Sequence, residues 1–116
     1  MLNREALPGR VYYKMSEVAE MLNLTTSAIR FWQETFKFPL HRNKTNQRRF
    51  TVDQLKNVFA VWYLLCIERY TIKGAMIKYQ AWLDGKYKIP ENYLEIPDGF
   101  TLNVIDDILE YPKKGS

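Results

Sequence analysis

Apolar positions recur at helical spacing in four stretches of the chain, with polar punctuation between them. In the first stretch Val18, Ala19, Met21 and Leu22 follow Ser16, a hydroxyl suited to N-capping, while Glu17 and Glu20 place acids where the helix dipole favours them. Asn23-Leu24 breaks the pattern, because Asn tolerates the left-handed conformation that ends a helix. Thr25 then offers a second cap, so the spacing predicts a second helix over about 26–35. Two short helices around so tight a turn, with the small Ala19 at their contact, match the helix-turn-helix signature.

The period changes after Lys37. Pro39 is excluded from a helix interior, and the polar run Asn43-Lys44-Thr45-Asn46 separates two short extended pieces, Phe38–Arg42 and Gln47–Phe50, so a small β-hairpin is predicted there as a wing. Thr51 and Gln54 then form a capping box. Leu55, Val58, Phe59, Trp62, Leu65, Cys66 and Arg69 continue from it at helical spacing as the longest helix, in which Cys66 is expected as a buried, inert thiol. Thr71 caps a fourth helix with the stripe Ile72, Ala75, Met76, Tyr79, Trp82 and Leu83, ending near Gly85.

The predicted fold is mostly α: a winged helix-turn-helix of four helices, a β-hairpin wing and a short C-terminal helix. Residues 1–10, with Pro8-Gly9, read as a flexible leader, and Val11-Tyr12-Tyr13 as a short extended lead-in to the domain at 11–85. Residues 86–116 read as a Pro-containing acidic tail with a short helix over Leu102–Glu110. Leu102, Ile105, Ile108 and Leu109 give that helix an apolar face, for its own domain or for a second copy in a homodimer. Its acids either lower the positive potential of the domain or form a solvated face.

Composition narrows the function classes. The 116 residues suffice for one domain with a modest core, and 47% hydrophobic content excludes disorder of the whole chain. Cys66 and His41 are the only cysteine and histidine, so neither an internal disulfide nor a multi-ligand Cys/His metal site can be assembled, and no cofactor and no enzymatic activity are expected. No apolar run approaches the roughly 18 residues of a membrane span and the amino terminus lacks a signal-peptide pattern; a cytoplasmic protein without membrane partners is expected. The net charge of +4 is unevenly spread. Residues 1–88 hold 15 Lys/Arg against 7 Asp/Glu, a net of +8, and residues 89–116 hold 2 against 6, a net of −4. The positive excess gathers around the predicted wing, as a phosphate-binding surface requires.

Base and phosphate contacts fall to the first turns of the second helix and to the wing. Thr25, Thr26, Ser27 and Arg30 are placed to meet the major groove, with Thr25 acting mainly as a cap and Arg30 offering a guanidinium for a guanine edge or a phosphate. The bland alternative for Arg30 is an ion pair with Glu34, one helical turn on. Arg42, Lys44, Arg48 and Arg49 crowd four cations onto one hairpin, where an anionic backbone relieves their repulsion. Strand alternation predicts that Arg48 and Arg49 face opposite ways, leaving one of them to serve the fold.

Taken in order, Met15-Ser16-Glu17-Val18-Ala19, Leu24-Thr25, Ile29-Arg30-Phe31-Trp32, and Arg48-Arg49-Phe50-Thr51 with Leu55 resemble the amino-terminal domain of MerR-family regulators, over roughly residues 11–83. The resemblance implies a regulator of transcription that binds double-stranded DNA, usually as a dimer on an inverted repeat. It puts Arg30 and Arg48 at the family's recognition-helix and wing arginines, with Arg48 the wing residue assigned to DNA, and it implies packing roles for Phe31 and Trp32. Asn46 stands where the family often has glycine. The family's long dimerisation helix and sensing region have no counterpart before Pro90, so neither metal sensing nor a small-molecule effector is carried over. Fold alone leaves two other classes open: a DNA-architectural or excisionase-like recombination accessory protein, and a protein-interaction module.

Overall fold

The computed structural model describes residues 12–97. Its elements are β1 (Tyr12–Lys14), α1 (Met15–Met21), α2 (Thr26–Phe36), β2 (His41–Arg42), β3 (Arg48–Thr51), α3 (Val52–Trp62) running into a π-helical turn (Tyr63–Ile67), α4 (Ile72–Leu83) and a 3-10 turn (Glu91–Leu94). The extended lead-in is a true strand. β1 pairs antiparallel with β3 at Tyr13↔Phe50, and β3 pairs with β2 at His41↔Arg49, so the wing is the outer part of a three-stranded sheet ordered β1-β3-β2.

The winged helix-turn-helix arrangement follows from where each apolar stripe points. Ile29, Trp32 and Phe36 of α2 are buried together with Val18 and Ala19 of α1, Phe38 and Phe50 beside the wing, and Leu55, Val58 and Phe59 of α3. Each large side chain buried in that centre stabilises the fold by about 1.5–3 kcal/mol relative to exposure. Between α1 and α2 the chain reverses at Asn23, whose φ is +57°, and the Leu24 N–H donates to the Ala19 carbonyl at 2.8 Å. The expected cap of α1 is displaced: Ser16 lies inside the helix, and Lys14 is the N-cap, its N–H donating to Glu17 Oε1 at 2.8 Å. A carboxylate that reaches back satisfies the helix end without the hydroxyl.

Three further expectations are corrected. Phe31 is 52% exposed and does not pack with Trp32, because the buried stripe of α2 advances by three or four residues and carries Phe31 off it. The third helix does not stay α-helical to Arg69: the Glu68 N–H reaches the Tyr63 carbonyl, and Arg69 takes a φ of +66°. That wider turn rotates the following side chains outward, so Cys66 is exposed where a buried thiol was expected, and Ile67 is exposed with it.

The fourth helix ends as expected, with Gly85 at a φ of +77°. Beyond it Ile89 and Leu94 are both 6% exposed and belong to the core, with the Tyr93 ring 4.7 Å from that of Tyr63. The packed unit therefore includes part of the stretch read as a tail. The leader at 1–10 and the helix expected over 102–110 lie outside the described residues. No helix among the described residues is long and apolar enough to cross a membrane.

Candidate nucleic-acid interface

α2 presents its solvent face because its other face is fixed. With Ile29, Trp32 and Phe36 buried, the residues about half a turn away, Ser27, Arg30 and Glu34, are exposed and share one side of the helix. Thr25 is committed as the N-cap: its Oγ1 accepts from the Ala28 N–H at 3.2 Å. Thr26 is half-buried at the first helical position, whereas Ser27 is exposed. Arg30 makes no ion pair among the described residues; the Glu34 carboxylate lies 3.5 Å from Arg48 of the wing instead.

The wing turn is held by its own side chains. Asn43 Oδ1 accepts from the Thr45 N–H, the Thr45 hydroxyl and the Gln47 N–H, at 3.1, 2.9 and 2.8 Å. Asn46 takes a φ of +67°, the conformation that the family's glycine permits and asparagine tolerates. Arg42 is turned inward to this loop, its Nη1 donating to the Asn46 carbonyl at 3.0 Å, while Lys44 is exposed at the tip. Arg42 and Lys44 border a hollow of about 400 Å³ with Tyr12, His41, Asn43 and Arg49.

Arg48 shares the face of the buried Phe50, since residues two apart in a strand point the same way, and its side chain is only 20% exposed. Its Nε is buried without a hydrogen-bond partner among the described residues. Arg49 folds back along the strand, donating to the Arg48 carbonyl at 2.9 Å and to Gln47 Oε1 at 3.0 Å. Alternation therefore separates the two arginines less than the strand pattern predicts: both border one cleft of about 380 Å³ between wing and helices.

That cleft joins Arg30, Arg48 and Arg49 to two residues that the sequence reading passed over, Lys14 and Ser16 at the start of α1. Met15, Asn46 and Gln47 complete its lining, which holds four cations and no acidic residue. Thr25, Thr26, Ser27, Arg42 and Lys44 lie outside it. Lys14 could have been found from one signal: strand alternation around the apolar Tyr13 puts it on the outer side of β1, opposite Arg49 in register. Among the described residues no group of three or more His, Cys, Asp and Glu side chains converges as a metal site would require.

A helix pair with a tight turn, a sheet-borne wing and a cationic cleft between them define a winged helix-turn-helix domain. Residues 13–81 match the MerR HTH family regulatory protein profile, and the chain belongs to this family. It is also similar to the regulator protein TubY of Clostridium botulinum C phage, at 34% identity over 80 residues. The alignment covers 68% of this chain and 34% of that protein, so the chain spans about a third of the relative's length. No solved structure matches.

Proposed function

We propose that this chain binds double-stranded DNA sequence-specifically as a regulator of transcription, with α2 in the major groove and the β2–β3 wing on the sugar-phosphate backbone. The carrying observation is the cleft bordered by Lys14, Arg30, Arg48 and Arg49 without an acidic lining residue, beside the exposed Ser27–Arg30 face. Four cations held this close repel one another, and a phosphate relieves that repulsion. Among the described residues the buried Arg48 Nε lacks an acceptor, which an anion in the cleft supplies. Ser27 is small enough for close approach to the groove floor, and Arg30 carries a fork that fits the guanine O6/N7 edge. The phage relative's description as a regulator protein agrees with this role.

Selection of binding sites from random duplex DNA tests the reading. One enriched motif is expected, and an inverted repeat within it reports two copies bound. Many phased sites with little base preference point to an architectural protein, and no enrichment overturns DNA recognition altogether.

A further inference from the structure

A second hollow, of about 380 Å³, shares no lining residue with the cationic cleft. Met21 and Leu22 at the end of α1, Phe59 and Trp62 of α3, Tyr93 of the 3-10 turn and Ile96 just after it form its apolar walls. Three separate elements contribute, and the rim carries Asn92 and Glu95. Pro97, the last described residue, also borders it, so the chain leaves the described fold at the mouth of this groove.

We propose that the groove is the docking site of this chain's own segment 98–111, anchored by Phe100 and Leu102. Three peptide units from Pro97 to Phe100 span at most about 10 Å, which confines the Phe100 ring to the neighbourhood of the groove. So short a tether gives the ring a local concentration in the millimolar range or above, and docking within the chain thereby outcompetes a free partner. The segment carries Phe100, Leu102, Val104, Ile105, Ile108 and Leu109 as apolar side chains, and Asp98, Asp106, Asp107 and Glu110 as acids. Repulsion from Glu95 on the rim turns Asp106, Asp107 and Glu110 away and the apolar side chains inward. Hollows of this size with apolar walls suit an aromatic ring. The docked segment covers Met21 and Leu22, the residues that lead directly into the turn between α1 and α2, and so braces the helix-turn-helix from behind.

Nuclear Overhauser spectra of the full 116-residue chain test this. Cross-peaks from the Phe100 ring to the Met21 methyl and the Trp62 indole are expected, and their absence once those resonances are assigned overturns the proposal. A mixture of labelled and unlabelled chains separates the other occupant: cross-peaks found only between copies assign the groove to a second molecule and overturn docking within the chain. Phe100→Ser should shift the Trp62 indole resonance and lower Tm by about 4–8 °C. An unmoved indole resonance contradicts the assignment, whatever happens to Tm.

Discussion

Arg30 and Arg48 differ in what already holds them. Arg30 has no ion-pair partner among the described residues and stands on the exposed face of α2, so its guanidinium is available to a base edge. Arg30→Ala should weaken binding to the selected site by about 1–3 kcal/mol and relax base preference at one position, as read by anisotropy titration against the site and its single-base variants. Arg48 is paired with Glu34, whose side chain is 61% exposed against 20% for Arg48, so water reaches the pair from the carboxylate side. Glu34→Gln removes an anion from the interface and releases Arg48, so affinity should rise and the salt slope steepen by up to about one unit. A loss of affinity would instead make the pair a strut that positions the wing. The exposed placement of Arg30 was legible in the sequence because it lies within two turns of a recognisable cap, off the buried stripe. The transfer of Glu34 from Arg30 to Arg48 was not, since it depends on how closely the sheet approaches α2.

Among the elements, α2, the Thr51 capping box and the end of α4 at Gly85 were legible because each is signalled by neighbours in sequence. The π-helical turn was not. Its signal lies in contacts that local periodicity does not register: the Tyr63 ring packs tilted against that of Tyr93, and the Tyr63 hydroxyl donates to Glu68. The Tyr63 hydroxyl is pushed up to about 12 by that carboxylate and then by burial, and the Tyr79 hydroxyl to about 12 by burial. A folded value above the unfolded value near 10 means that the unfolded chain loses its protons first. These tyrosines therefore stabilise the fold fully below about pH 10, and that contribution is lost as pH rises toward 12. Tyr79→Phe should flatten the alkaline fall of Tm measured by circular dichroism, although it also gives up the hydrogen bond to Asn57. The stretch after Gly85 hid its structural part because its prolines suggested loop, yet Leu94 is buried against the core. Leu94→Ala should cost about 2–5 kcal/mol in chemical denaturation, as for a core leucine, and a loss within about 0.5 kcal/mol would return the segment to the surface.

Over the whole molecule, charge and shape agree on one face. Four cations of the basic stretch 1–88 converge from three elements that are distant in sequence, β1 through Lys14, α2 through Arg30 and the wing through Arg48 and Arg49. The sequence predicted the latter two from composition and motif; the share of β1 required the β1–β3 pairing, which brings Lys14 opposite Arg49. Binding through such a face must release counterions from DNA, which makes salt the direct probe. Lys14→Ala and Lys44→Ala should each weaken binding to all sequences alike and flatten the slope by about one unit. The most direct test is the affinity of the full chain for its selected duplex, measured by anisotropy at a series of salt concentrations, in parallel with Arg30→Ala. A linear fall of log affinity with log salt is expected for the wild type, with a slope of several units, and a weaker, less selective but still salt-sensitive Arg30→Ala. Salt-independent affinity, or an Arg30→Ala that matches the wild type in strength and base preference, would contradict it.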